Sequence, residues 1–224
     1  MPAETPGPID AWIFDLDNTL YPASANLFPQ IDRRIRSYVA HQLKMTLDDA
    51  FILQKRYYRE FGTTLRGLML NHKVEPDAFL DYVHDIDHSV LGRDARLDAV
   101  LAALPGRKFV YTNGSERHAS SVMDRLGVAK HFSGIFDISA SRYIPKPDPA
   151  PYAELVALHG IEASRAAMFE DIHVNLKPAH ALGMTTVWVR HAENPAPAGE
   201  DLSHCHHITE DLVGWLETRI PKNP

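Results

Sequence analysis

Four short strings carry residues whose types and spacing can do chemistry. The first is Asp15-Leu16-Asp17-Asn18-Thr19-Leu20-Tyr21-Pro22, which follows the apolar run Ala11 to Phe14 and delivers two carboxylates two residues apart. On a strand such a pair shares one face, and where the strand ends both acids can converge on one point. Burying them is costly unless a cation or a proton compensates. Alone, the pair would serve helix capping as readily as catalysis. The second string, Thr112-Asn113-Gly114-Ser115, follows the apolar run Lys108 to Tyr111. It offers a hydroxyl and then main-chain N–H groups, accessible beside a glycine, just ahead of a helical pattern, which is what an anion needs. Ser115 as a helix N-cap is compatible with that use. The third string, Ile144-Pro145-Lys146-Pro147-Asp148-Pro149, holds Lys146 between two prolines, so its ammonium loses less entropy on being fixed. The fourth is Glu170-Asp171, at the end of the run Ala166 to Phe169.

If these strings meet, Asp15, Glu170, Asp171 and a phosphate dianion share one pocket with the single positive charge of Lys146. A divalent cation is then required before substrate can bind. Oxygen ligands and a bound phosphate favour Mg²⁺, which keeps several waters and uses few protein carboxylates.

The positioning elements follow from the hydrophobic pattern. Apolar runs at 11–14, 108–111, 134–138, 166–169 and 185–189 predict about five strands. Helical spacing over 95–104, 115–126, 149–159 and 174–182 alternates with them. That order predicts an α/β fold, a doubly wound parallel sheet whose strand C-termini line one ligand-binding edge. From Tyr21 to Leu91 the pattern is helical only, over 31–43, 47–61 and 77–90. The expected organisation is therefore a core of residues 1–20 and 92–224, with residues 21–91 inserted as an all-helical cap over the active edge. Tyr21-Pro22 and Leu91-Gly92-Arg93 would be its hinges.

Composition narrows the classes. The 224 residues are 45% hydrophobic and 23% charged, which excludes a disordered chain. Lys plus Arg number 23 against 29 Asp plus Glu, a net charge of −6, which argues against a nucleic-acid polymer as partner. Cys205 is the sole cysteine, so no internal disulfide can form and a reducing compartment is expected. Residues 1–10 show no basic or apolar leader pattern, and no run approaches the roughly 18 apolar residues of a membrane span. The expectation is a cytoplasmic protein, without a membrane partner, that handles a small phosphorylated substrate.

The four strings, in this order on successive strand tips, resemble the haloacid dehalogenase (HAD) superfamily of phosphatases over nearly the whole chain. Within it, DLDNTLYP, YYREFGTTLRGLM (residues 57–69), VYTNG (110–114) and IPKPDP resemble the pyrimidine 5′-nucleotidase branch. The resemblance implies that Asp15 is the nucleophile forming an aspartyl-phosphate, and that Asp17 is the general acid and then the base. It implies that Thr112, Asn113 and Gly114 hold the phosphate and that Lys146 neutralises the nucleophile and the transferring group. Asp15, Asp171 and the main-chain carbonyl of Asp17 would bind Mg²⁺, with Glu170 as a ligand or directly behind one. Asn175 stands where many relatives carry a further Asp. Related dehalogenases lack an acid at the position of Asp17, so phosphate chemistry is expected, with pyrimidine nucleoside 5′-monophosphates as substrates. The alternatives are another small ester, such as phosphoglycolate or a sugar phosphate, or a regulator that binds a phosphorylated ligand without turnover.

Tyr21, Tyr57 and Arg66 are the candidates for contacting the rest of the substrate. The pair Tyr57-Tyr58 with Arg66 could stack on a base, with packing of the helical block expected to use at least one tyrosine. His204-Cys205-His206-His207 invites a zinc reading, but adjacent residues cannot all face one ion, and a structural edge or loop before a helix opening at Thr209-Glu210 is preferred. His84 and His88, with Asp81, Asp85 and Asp87, are expected on a solvated acidic helix face.

Overall fold

A computed structural model describes residues 8–221 except 193 and 197. Six strands are present among these residues: β1 (Ala11–Phe14), β2 (Arg107–Tyr111), β3 (Gly134–Phe136), β4 (Ala166–Glu170), β5 (Thr185–Val189) and β6 (His207–Thr209). They form one sheet in the order β3-β2-β1-β4-β5-β6, and every pair is parallel. The expected five strands thus become six. The string around Cys205 leads into the edge strand β6, where Val187 pairs with His207. The sequence missed it because three residues hold too little alternation to register as a strand.

Register explains the site. Phe14 at the tip of β1 lies beside Val110 of β2 and Phe169 of β4, so Asp15, Thr112 and Glu170 emerge on one edge. Side chains alternate across the pleat. Trp12, Phe14, Val110 and Phe169 bury against one helical layer, formed by α5 (Ala95–Ala103), α6 (Glu116–Leu126) and α9 (Leu212–Glu217). Ile13, Phe109, Tyr111 and Met168 bury against the other, formed by α7 (Pro149–His159) and α8 (Leu176–Ala181). Both faces are covered, which is why the strands read as unbroken apolar runs.

Between β1 and β2 the described residues contain no strand. They form α1 (Phe28–Leu43), α2 (Leu47–Phe61), α3 (Thr64–His72) and α4 (Pro76–Val83) before α5. Thr46 and Thr63 cap α2 and α3 by accepting from the N–H groups of Asp49 and Arg66. These four helices share an apolar centre that includes Ile31, Val39, Leu53, Tyr57, Leu68, Phe79 and Val83, joined by Ile138 from beyond β3.

Helix α4 stops at Val83, not at Val90. The end is set by competing partners: Arg34 Nε donates to the Tyr82 carbonyl, and the Gln30 side chain bonds both the N–H and the carbonyl of Asp87. His84 and His88 are therefore not on a solvated helix face. His84 is buried, and His88 opens a short 3₁₀ turn. The predicted helix over 174–182 splits into a 3₁₀ turn at His173–Asn175 and α8, and the last helix begins after Asp211 rather than at Thr209. No helix among the described residues is long and apolar enough to cross a membrane.

Candidate active site

Lys146 is the centre of the strand-edge cluster. Its Nζ donates to Asp15 Oδ1 at 2.7 Å, to Glu170 Oε1 at 2.6 Å and to the Tyr111 carbonyl at 3.0 Å. The ammonium is buried, at 1% side-chain exposure. Burial disfavours its charge, but Asp15 and Glu170 outweigh that and hold its pKa above the ordinary lysine range. The loop that carries it is fixed by Asn113, whose Oδ1 accepts from the Lys146 N–H at 2.9 Å.

Asp15 uses its other oxygen to accept from the Thr19 hydroxyl at 3.0 Å. Burial pushes its carboxyl well above the ordinary range; Lys146 opposes this, while Glu170 and Asp171 add to it. An ordinary aspartate would be ionised at neutral pH, so Asp15 depends on local positive charge. Glu170 is also raised by burial against the pull of Lys146. Its Oε1 accepts from Asn175 Nδ2 at 2.8 Å and its Oε2 from the Ile172 N–H at 2.9 Å. Asn175, at the position where many members of the resembled family carry a further Asp, thus holds Glu170 in place.

Asp171 lies beside them. His191 Nε2 is 3.2 Å from its Oδ2, and its carbonyl accepts from Trp188 Nε1 at 2.8 Å and Asn194 Nδ2 at 3.1 Å. Asp15, Glu170 and Asp171 each present a carboxylate oxygen within 4.8 Å of the others. Three buried acids, only two of them paired with the Lys146 ammonium, fit a hard divalent cation: all the donors are oxygen, and Asp15 resists ionisation without more positive charge.

Asp17 stands apart from that group. Its Oδ1 accepts from the Tyr21 hydroxyl at 2.5 Å and meets His118 Nε2 at 2.9 Å. Burial would raise its pKa, yet His118 and then Tyr21 bring it below the ordinary range. Tyr21 is 1% exposed, and its hydroxyl is pushed far above the usual phenol range by burial and then by the charge of Asp17. Its hydroxyl is thus spent on Asp17. In the following loop, Thr112 Oγ1 accepts from the Gly114 N–H at 2.9 Å, so that donor is spent inside the loop.

Among the candidates in the helical block, Tyr57 is buried, its hydroxyl is 2.8 Å from His72 Nε2, and its ring packs on Phe61. Its hydroxyl and ring are spent inside the helical block. Tyr58 is near enough to feel the acids: about half its surface is exposed, and burial of its hydroxyl together with the charges of Glu170 and Asp171 pushes it up to about 12. Arg66 is half-buried in the first turn of α3, where its N–H meets Thr63 Oγ1. The residues that sequence reasoning missed are Thr19, His118, His191 and the outward role of Tyr58. Thr19 was legible four residues after Asp15; His118, 101 residues from Asp17 in sequence, left no local signal.

His204-Cys205-His206-His207 is spent on structure. His204 Nε2 meets the His173 carbonyl at 2.9 Å, His206 Nδ1 accepts from the Thr186 N–H at 3.0 Å, and burial pushes the Cys205 thiol up to about 11.

A parallel sheet whose central strand tips gather an ammonium and three acids, with a fourth acid held aside, makes the strand edge of this α/β fold the candidate active site. The chain belongs to the haloacid dehalogenase-like hydrolase family, whose description matches residues 9–183. It is 29% identical over 204 residues to Phosphate metabolism protein 8 of Saccharomyces cerevisiae, covering 82% of this chain and 63% of that protein. The chain therefore spans less than two thirds of that relative's length. It is 25% identical over 231 residues to a phosphoglycolate phosphatase of Mesorhizobium japonicum, covering 91% of this chain and 95% of that one. A solved L-2-haloacid dehalogenase superposes with a TM-score of 0.60 at 17% identity, covering 95% of this chain and 99% of that one, a likeness of fold alone.

Proposed function

We propose that this chain is a Mg²⁺-dependent phosphomonoesterase that works through an aspartyl-phosphate on Asp15. The observation that carries the reading is the division of labour among the acids. Asp15 is bound by Lys146 beside Glu170 and Asp171, whereas Asp17 is turned away to Tyr21 and His118. In the first step an Asp15 oxygen attacks phosphorus, the ester P–O bond breaks, and Asp17, having taken a proton from solvent on the oxygen that Tyr21 and His118 leave free, passes it to the departing alcohol. In the second, water attacks the same phosphorus, Asp17 takes the water's proton, and the Asp15–phosphate bond breaks to release inorganic phosphate. Lys146, Thr112 and the Asn113 main chain hold the equatorial oxygens as charge spreads onto them. Asp15, Asp171 and the Asp17 carbonyl would hold Mg²⁺, with Glu170 adjacent, and the ion supplies the positive charge that lets an anionic nucleophile meet an anionic ester.

Residues 21–91 serve in this reading as the substrate-selecting cap, excluding bulk water from the phosphoenzyme. The substrate class is a pyrimidine nucleoside 5′-monophosphate. Tyr58, half-exposed above the acids, supports it by offering a ring to a flat base. Phosphoglycolate is the second reading, favoured by the likeness to a phosphoglycolate phosphatase over 91% of this chain. Phosphate release from UMP, CMP and phosphoglycolate, with Mg²⁺ or with EDTA, tests both. The expected result is metal-dependent release, fastest from a pyrimidine nucleotide and lost in Asp15→Asn. Metal-independent release, or an active Asp15→Asn, overturns the reading.

A further inference from the structure

Three histidines converge behind Asp17, and nothing in the four strings accounts for them. His118, in the first turn of α6, is 1% exposed. Its Nε2 meets Asp17 Oδ1 at 2.9 Å, and its Nδ1 is 3.1 Å from His88 Nε2. Its ring stacks on His84, with centroids 4.5 Å apart and planes 7° from parallel. His84 Nδ1 is in turn 2.9 Å from the Ser115 hydroxyl, at the cap of the same helix. His84 and His88 both lie in the segment by which the chain returns from α4 to α5.

A carboxylate oxygen only accepts, so His118 carries a hydrogen on Nε2 and donates to Asp17. In the neutral ring Nδ1 is then an acceptor, and His88 Nε2 is placed to donate to it. Asp17 and His88 together favour that one tautomer and ring orientation. Tyr21 and His118 both donate to Oδ1 of Asp17. Oδ2 is left as the oxygen that can exchange a proton with an ester oxygen or a water. Packing leaves the arrangement little slack: a Cβ at Gly114 would lie 3.2 Å from Thr112 Oγ1, 3.4 Å from the His118 ring and 3.7 Å from that of His84.

We propose that His118 is a positioning residue for Asp17, and that His88 orients His118, so that the proton-transfer step is assembled only when the 84–90 segment is docked on α6. The proposal rests on the reading of Asp17 as the acid–base group. It ties the helical block to the chemistry through a contact distinct from the substrate.

The test compares two esters in the full chain with Mg²⁺: a nucleoside 5′-monophosphate, whose alkoxide must be protonated to leave, and p-nitrophenyl phosphate, whose phenolate leaves unaided. The quantity read is kcat/KM, which covers steps up to the first phosphoryl transfer. His118→Ala is expected to lower it about a hundredfold for the nucleotide and less than about threefold for the aryl ester, with KM little changed. His118→Gln, which keeps an N–H donor, should recover most of that loss, and His88→Ala should show a smaller loss with the same selectivity. Asp17→Asn sets the scale of the selective loss. Equal loss on both esters, or none, in folded His118→Ala while Asp17→Asn remains selective overturns the proposal and leaves the acid role standing. An Asp17→Asn variant that is not selective overturns both.

Discussion

Gly62, in the turn between α2 and α3, rests on the main chain of Lys146. A Cβ there would lie 3.2 Å from the Lys146 carbonyl and 2.9 Å from Pro145 Cγ, and its φ is +81°. The helical block therefore meets the lysine loop closely, against the Pro145 ring and the Lys146 carbonyl. Gly62→Ala is expected to lose about 1–2 kcal/mol of stability, from the left-handed backbone and the crowded contact together. Urea denaturation measures it, and kcat/KM should fall in parallel because the displaced loop carries Lys146. A variant as stable and as active as the parent would show that this turn yields freely.

Lys146→Met leaves Asp15 and Glu170 buried without their ammonium. Removing one partner of a buried ion pair costs about 3–5 kcal/mol, so the metal-free variant should unfold at markedly lower urea than the parent. Millimolar Mg²⁺ should recover a larger share of stability in the variant than in the parent, since the ion then supplies the missing charge. Turnover should fall by at least about a thousandfold in either condition.

Asp15→Asn works in the opposite sense. Burial and two neighbouring acids oppose ionisation of Asp15 more than Lys146 favours it, and Lys146 keeps Glu170, so a neutral replacement should raise the melting temperature in EDTA while abolishing turnover. The same variant should lose most of the Mg²⁺-induced rise in melting temperature seen in the parent. Thermal scans with and without Mg²⁺ read both effects.

His84 gives a pH signature. Burial first, and then the neighbouring His118, press its pKa down to about 3 from the ordinary 6.5. The unfolded chain therefore binds a proton that the folded chain refuses between these values. Stability is fully present above pH 6.5 and falls as pH drops toward 3, by about 1.4 kcal/mol per pH unit from this group. Denaturation midpoints between pH 7 and pH 4.5 should show that slope, and His84→Gln should flatten it.

The strand tips were legible because three of the functional strings follow apolar runs that read as buried strands, and parallel pairing then brings their ends to one edge. Asp15, Thr112, Glu170 and Asp171 were found this way, and Lys146 by the prolines on either side of it. Tyr57 and Tyr58 show where that logic stops. Adjacent helical residues point about 100° apart, and which of them faces a neighbour depends on where the helix docks. The pattern over 77–90 continued past the true end of α4 because the groups that end it, Arg34 and Gln30, belong to α1 and were invisible locally. His118 was silent for the same reason, as its meaning lies in a contact with a residue of another element.

The carbonyl of Asp171 is held by Trp188 and Asn194, both past residue 183, where the family match ends. Substitutions at either position reach the surroundings of the acid cluster without altering an acid. Two chains identical in all four strings can therefore differ in how firmly Asp171 is held, with the difference written in the tail.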